Sequence, residues 1–244
     1  GKSSVAKILR ERGYEYSSTG NIFRQLAMEK GLSVEEFNRQ VNEAASRGDH
    51  SVDKMIDDTT ARIGEERDNV VFDSRLAWHF APKSFKVFII TDIDEASRRV
   101  FNDSLRANSE SYDSQDTCRK ALISRQKLET VRYKEIYDID YYDMSNYNLV
   151  IESTSASPDE IAQEILDKMA DYQSGSFEKM MELNPSSVKM ADHAAVKESD
   201  MVEVSEKCGV FTLTAGKKDL DEAIAQGARF VSVRVSASEA GGED

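Results

Sequence analysis

Short, uninterrupted apolar runs alternate with helical segments across residues 1–172, and this alternation restricts the possible fold more than any other feature of the sequence. The clearest runs lie at 70–72 and 86–90. Runs of this kind are typical of parallel strands that are buried on both faces of a sheet. Strands that alternate with helices predict an α/β fold in three layers, with a parallel sheet between two layers of helices.

The helical segments carry recognisable start signals. Ser33 and Glu36 have the spacing of a capping box, and Pro158 stands in the first turn of the last predicted helix. A polar stretch at 102–115 has no apolar period. The sequence predicts helices at 5–12, 22–30, 33–46, 52–64, 94–101, 117–137 and from 157 onward, and strands at 14–16, 70–72, 86–90 and 148–151.

Small polar residues at 173–176 predict a domain boundary. Beyond it, apolar runs at 210–214 and 230–235 flank a helical segment at 217–226, which predicts a small α+β module. We therefore expect one domain at 1–172, a C-terminal module at 177–235 and a disordered tail at 236–244.

The composition excludes some classes of function. The chain of 244 residues has a formal net charge of −13, which argues against an extended nucleic-acid-binding surface because such surfaces are basic. Cys118 and Cys208 have no metal-binding or redox spacing, so a reducing compartment is favoured. The sequence has no apolar run of membrane-spanning length. These features predict a cytoplasmic protein without membrane contact.

The first four residues, Gly1, Lys2, Ser3 and Ser4, match the end of the phosphate-binding motif G-x-x-x-x-G-K-[ST]. In a complete motif the loop and the helix N-terminus hold the phosphates of ATP, the lysine bridges the outer phosphates and the hydroxyl binds Mg²⁺. Lys2 and Ser3 have the positions for those two roles. The first half of the motif and the strand before it are missing from this chain. The sequence therefore leaves open whether the chain is active. A chance tetrapeptide with a solvated lysine is the alternative.

Two further polar groups can bind an anion: the first is a hydroxyl-rich turn that leads into a helix, and the second stands at the carboxyl end of a predicted strand, where open α/β folds bind ligands. Ser18 lies in a hydroxyl-rich turn, and Arg24 lies one turn inside the next helix. Asp73 and Arg75 follow the run 70–72. The aspartate can orient a substrate or a metal-bound water, and the arginine can clamp a phosphate. A surface arginine and a strand-end ion pair are the structural alternatives.

Asp53 belongs to an acidic row with Asp49 and Asp57, at the start of the helix predicted at 52–64. Asp53 and Asp57 share one helix face because they are four residues apart. Contact with a sugar or base is one interpretation, and a solvated helix face is the other.

Several arginines surround the polar stretch 102–115. Arg106 lies within it, and Arg125 and Arg132 share one face of the following helix with Glu129. Phosphoryl transfer needs positive charge that arrives when a mobile segment closes and expels water, so we interpret the stretch as a lid. Pairing of Glu129 with both arginines is the alternative interpretation.

Taken in order, these segments resemble the cytidylate kinases, a compact branch of the P-loop nucleoside monophosphate kinases. The resemblance covers residues 1–172, and it rests on stretches at 18–24, 72–80, 132–140, 148–151 and 157–160. It implies a P-loop kinase fold, whose first strand this chain lacks, and transfer of a phosphoryl group from ATP to CMP or dCMP with Mg²⁺. We also expect a monomeric kinase domain and, from the net charge, no nucleic-acid partner.

The resemblance implies a role for each group of candidate residues. ATP is held by Gly1, Lys2, Ser3 and Ser4, with Ser3 also on Mg²⁺. The acceptor is held by Ser18, Arg24, Asp73 and Arg75, to which we add Asp53. Catalytic positive charge comes from Lys2, Arg106, Arg125 and Arg132.

Other features depart from the family pattern. Loss of a central strand is expected to destabilise the fold. Asp138 stands where relatives often carry glycine, so we expect a left-handed helix cap there. The C-terminal module faintly resembles a ParB-like domain, but its segment Gly216-Lys217-Lys218 lacks the histidine and arginine of such domains. The alternative function is therefore a non-catalytic nucleotide-binding remnant that acts through this module.

Overall fold

The structure is a computed structural model that describes residues 1–45, 47–103, 112–190, 196–207 and 209–236. The chain divides into two compact units, Gly1–Lys86 and Val87–Asp244. Both combine helices with strands that are mostly parallel, so the predicted α/β fold is confirmed.

The first unit contains a parallel pair of strands with helices around it. Its elements are α1 (Lys2–Glu11), β1 (Glu15–Ser18), α2 (Thr19–Glu29), α3 (Val34–Ala45), α4 (Ser51–Glu66), β2 (Val70–Asp73) and α5 (Ala77–Phe80). The pairing of β1 with β2 sets Tyr16 opposite Val71 and Ser18 opposite Asp73. The two strands therefore end side by side, which brings polar residues of both to one edge.

Local signals explain where these helices begin. The Ser18 hydroxyl caps α2 by accepting a hydrogen bond from the Asn21 N–H at 3.1 Å. Ser33 and Glu36 form the predicted capping box, in which the Ser33 N–H donates to Glu36 Oε2 at 3.1 Å and the Glu36 N–H donates to Ser33 Oγ at 3.2 Å. A buried cluster then joins α2, α3 and α4: Ile22, Leu26, Ala27, Phe37 and Ile56.

The second unit is built on a six-stranded sheet in the order β3-β4-β5-β8-β6-β7. Its elements are β3 (Val87–Ile90), α6 (Ile93–Phe101), α7 (Gln115–Tyr137), β4 (Leu149–Glu152), α8 (Pro158–Ser174), β5 (Met181–Leu183), β6 (Val202–Lys207), β7 (Val210–Ala215), α9 (Lys217–Ala225) and β8 (Val231–Val235). Strands β3, β4 and β5 are parallel, and β8 runs antiparallel to β5. One sheet therefore extends across residues 173–176, and the predicted boundary there stays a prediction.

Burial of the strands differs from the expectation in one respect. The runs at β2 and β3 are half-buried, whereas β4 is fully buried. The prediction of burial on both faces was wrong for β2 and β3, and in the described sheets each of these strands has a neighbour on one side only. In contrast, β4 lies between two neighbours.

Three further expectations concern the cap at Asp138, the C-terminal tail and membrane-spanning helices. Asp138 has φ of 56° and ends α7 in the left-handed conformation, as predicted. Ser236, the first residue of the predicted disordered tail, donates its N–H to the Val204 carbonyl at 2.8 Å. Residues 237–244 lie outside the described residues. Within the described part of the chain, no helix combines the length and apolar character needed to cross a membrane.

Candidate active site

The candidate site of the first unit is centred on Asp73, the last residue of β2. Its side chain is 9% exposed, although it lies at the end of a half-buried strand. The Ser3 hydroxyl donates to Asp73 Oδ2 at 2.6 Å, and the Tyr16 hydroxyl donates to the same oxygen at 3.1 Å. The Lys2 ammonium lies 3.9 Å from Asp73 Oδ1. The Asp73 carboxylate thus accepts hydrogen bonds from two hydroxyl groups and lies close to the Lys2 ammonium.

Helix α1 brings Lys2 and Ser3 to this carboxylate. Val5, Ala6 and Leu9 are buried and anchor the helix in the unit. Its first turn contains no acidic residue of its own, and the Asp73 carboxylate is the anionic group that contacts this positive end of the helix dipole. Such helix ends bind anionic phosphate groups.

A second polar group lies at the end of β1. The Arg24 guanidinium donates to the Asn21 side-chain oxygen, one turn inside α2. A Cβ atom on Gly20 would lie 3.5 Å from Arg24 Nη1 and 3.9 Å from Ser18 Oγ. The Ser18 hydroxyl and the Arg24 guanidinium therefore flank the first turn of α2. Because Ser18 is opposite Asp73 in the sheet, the two groups are neighbours.

Tyr16 joins the two groups and was missed by the sequence analysis. Burial raises the pKa of the Tyr16 hydroxyl, and the negative charge of Asp73 raises that pKa further. The hydroxyl therefore stays protonated at neutral pH and remains a hydrogen-bond donor. The available signal was its spacing: Tyr16 and Ser18 are two residues apart in one strand and so share a face of the sheet.

Two other residues predicted to bind the acceptor nucleotide, Arg75 and Asp53, lie in the first unit. Arg75 is half-buried, two residues beyond the end of β2. Asp53 lies in the first turn of α4, where its carboxylate is 3.5 Å from His50 Nδ1. The structure does not bring Asp53 to the Asp73 carboxylate in any described contact, so its role stays a prediction.

The arginines predicted to act with a lid belong to the second unit. Arg125 and Arg132 are exposed on α7, and Arg125 Nε lies 3.9 Å from Glu129 Oε1. Arg106 lies outside the described residues. Two other arginines of this region have structural contacts: Arg98 and Arg99 both donate to the Glu95 carboxylate, each through Nε at 2.7 Å.

The oxygen donors around Asp73 suit a hard cation. Among the described residues, no group of three or more histidines, cysteines, aspartates or glutamates could hold a metal ion alone. Mg²⁺ is usually bound by one or two carboxylates together with substrate phosphates and waters. The Ser3 hydroxyl and the Asp73 carboxylate, 2.6 Å apart, fit that pattern.

Comparisons with known proteins show which family the sequence resembles. Residues 1–155 match the model of the cytidylate kinase-like family. The cytidylate kinase of Methanothermobacter thermautotrophicus is 36% identical over 152 residues, which are 62% of this chain and 87% of the relative. The cytidylate kinase of Methanococcoides burtonii is 34% identical over 178 residues, which are 72% of this chain and 94% of the relative.

Proposed function

Because the chain belongs to the cytidylate kinase-like family, we propose that it transfers a phosphoryl group from ATP to CMP or dCMP with Mg²⁺ as cofactor. Relatives named cytidylate kinase, matched over most of their own length, support this acceptor class. The single observation that carries the proposal is the contact of the Ser3 hydroxyl with the Asp73 carboxylate, because it joins a phosphate-binding segment to a strand-end acid. In P-loop enzymes that pair of groups holds Mg²⁺.

This interpretation gives Asp73 a different role from the one expected from sequence. The family resemblance implies that Asp73 contacts the acceptor nucleotide. Its hydrogen bond from Ser3 and its closeness to Lys2 favour the ATP side instead. We assign Ser3 and Asp73 to the cation, which would neutralise charge on the phosphates, and Lys2 to the phosphates themselves.

The acceptor nucleotide is assigned to the group at the end of β1. The Arg24 guanidinium presents a rigid fork of donors that matches a phosphate, and the Ser18 hydroxyl stands beside it across Gly20. Arg75 follows β2 at the same edge and supplies a second guanidinium. We place Asp53 with this group as a contact for the sugar or base.

The chemistry requires no covalent intermediate. In-line positioning of donor and acceptor, together with neutralisation of charge on the transferred group, accounts for catalysis of this class. We assign the neutralising role to Lys2 and to Arg106, Arg125 and Arg132, the last three after closure of a lid. We further propose that the enzyme acts as a monomer in the cytoplasm.

The test is an assay of the protein expressed from its complete reading frame, with ATP and one acceptor at a time. We expect ADP formation with CMP or dCMP and much less with UMP or AMP. Absence of ADP formation with every acceptor would contradict the kinase assignment. A preference for UMP or AMP would contradict the acceptor assignment alone.

A substitution at Arg75 separates the two nucleotide sites. Arg75→Ala should raise the KM for the acceptor about 10- to 100-fold, the usual cost of a lost charge-assisted hydrogen bond, with little change in the KM for ATP. Arg67→Ala is the matched control, because Arg67 forms an exposed ion pair with Glu15. Equal weakening of both substrates by Arg75→Ala would refute the assigned role.

A further inference from the structure

We infer that Tyr16 is a positioning residue for the cation site, acting through Asp73. This inference rests on the proposed function, since it takes Ser3 and Asp73 as the groups that hold Mg²⁺. The observation is the convergence of two hydroxyls on one carboxylate oxygen: Ser3 at 2.6 Å and Tyr16 at 3.1 Å, both donating to Asp73 Oδ2.

The two hydroxyls differ in how they are held. Ser3 lies in the first turn of α1, where the Ser4 N–H makes a 3.1 Å bond to the Gly1 carbonyl at the very start of the helix. Tyr16 lies in β1 and is paired with Val71 of β2. The strand pairing therefore fixes the tyrosine backbone relative to the strand that carries Asp73.

The Tyr16 hydroxyl, as a fixed donor, restricts the orientation of the Asp73 carboxylate. Asp73 sits at the end of β2, so a single torsion could turn Oδ2 away from Ser3. The Tyr16 hydroxyl stabilises the rotamer in which Oδ2 faces Ser3 and leaves Oδ1 toward Lys2, 3.9 Å away. Groups that orient a metal-binding carboxylate commonly account for about 10- to 100-fold of metal affinity.

The inference is tested by binding measurements on the protein expressed from its complete reading frame. The affinity for ATP is measured by calorimetry with Mg²⁺ and again with EDTA, and the ratio of the two affinities reports how well the cation is held. Tyr16→Phe keeps the ring but removes the donor. We expect this variant to lower the ratio about tenfold, without changing ATP affinity in EDTA.

A matched control and a double-mutant cycle test whether Tyr16 affects Mg²⁺ binding through Asp73. Tyr14→Phe makes the same chemical change two residues earlier, and no contact of Tyr14 with Asp73 occurs in the described structure; it should leave the ratio unchanged. Asp73→Asn should lower the ratio strongly. Adding Tyr16→Phe to Asp73→Asn should then have no further effect, because residues that act through one group are not additive.

Several outcomes would overturn the inference. Equal weakening of ATP binding with and without Mg²⁺ would show a general structural role for Tyr16. Weaker CMP binding in Tyr16→Phe with an unchanged Mg²⁺ ratio would assign the residue to the acceptor side. An additive double variant, or a wild-type ratio of about one, would show that Tyr16 does not act through a cation held by Asp73. A wild-type protein that binds ATP in a Mg²⁺-dependent manner but forms no ADP contradicts the proposed function only, and the binding ratio still decides the role of Tyr16.

Discussion

At the scale of single residues, Gly64 shows how closely the helices of the first unit pack. A Cβ atom on this α4 glycine would lie 2.7 Å from the Ala81 Cβ and 3.9 Å from the Phe72 ring. Gly64→Ala should lower the free energy of unfolding by about 1–2 kcal/mol, because overpacking costs more than the gain in helix propensity. Urea denaturation measures the change.

The compensating substitution checks the cause. Ala81→Gly removes the atom that the new methyl group would meet, so Gly64→Ala combined with Ala81→Gly should recover part of the lost stability. Additive losses in the double variant would mean that this contact does not explain the requirement for glycine.

The residues of the candidate site were predictable to different degrees. Lys2 and Ser3 follow from a motif with a known chemical purpose, and Asp73 follows from its place after an apolar run. Tyr16 could not be selected in the same way, because its contact with Asp73 depends on the register of β1 against β2. Register is a tertiary property that a single strand does not reveal.

At the scale of secondary-structure elements, Glu95 orients Arg99, the residue that joins α6 to the turn after β4. Its carboxylate accepts from Arg98 and Arg99, and Arg99 Nη2 also donates to the Ser153 carbonyl at 2.8 Å, in the turn that follows β4. The hydrogen bond from Arg98 is the main cause of the low pKa of Glu95, which falls from 4.5 to about 2. The contacts therefore depend on an ionised Glu95.

This low pKa predicts a defined pH window. Above about pH 4.5, Glu95 is ionised in both the folded and the unfolded chain, and its stabilising effect is complete. As the pH falls from about 4.5 to about 2, the unfolded chain takes up the proton first and the effect is lost. Glu95→Gln should therefore destabilise the protein at about pH 7 and much less at about pH 3, as measured by urea denaturation.

Glu66→Gln serves as the control, because Glu66 pairs with Arg62 at 3.4 Å on an exposed face of α4. Exposed pairs of this kind contribute little to stability. A difference between wild type and Glu95→Gln that stays constant from about pH 7 to about pH 3 would contradict the proposed dependence on ionisation.

Elements with local signals were predicted more accurately than those that depend on their neighbours. The capping box predicted at Ser33 is present, and α8 begins at Pro158, close to the predicted start at residue 157. Strands β5 and β6 were not predicted: β5 has three residues, and β6 includes a polar half. Each becomes a strand because an existing sheet offers it hydrogen-bonding partners, which local sequence does not encode.

At the scale of the whole molecule, the second unit joins the family-matched part of the chain to the segment that follows it. Strand β5 pairs with β4, and the buried Glu152 carboxylate accepts from the Asn184 N–H at 3.0 Å and the Ser187 hydroxyl at 2.6 Å. The predicted boundary at 173–176 therefore lies between strands that belong to one sheet. Its prediction came from the small polar residues there, which also suit the left-handed end of α8 at Gly175.

A buried ion pair makes this continuity testable. The Glu182 side chain on β5 is 3% exposed, and its Oε1 lies 2.6 Å from the Lys168 ammonium of α8 and accepts from the Ser232 hydroxyl of β8 at 2.6 Å. Lys168→Met leaves a buried carboxylate without its cation, which should cost about 3–5 kcal/mol of unfolding free energy. Because the sheet is continuous, amides of β4 and β8 should lose hydrogen-exchange protection together.

Lys179→Met is the control for that experiment, since the Lys179 ammonium donates to the Ser145 carbonyl from an exposed position; it should leave exchange nearly unchanged. Combining Lys168→Met with Glu182→Met removes the buried pair and should restore part of the stability, because an apolar pair of similar size tolerates burial, whereas Glu164, 3.6 Å from Lys168, still loses its cation. Loss of protection confined to β8, with β4 unaffected, would show that the C-terminal strands unfold separately and would support an independent module after residue 176. Joint loss would show that the residues beyond the family match are part of the cooperative core on which β4 and α8 depend.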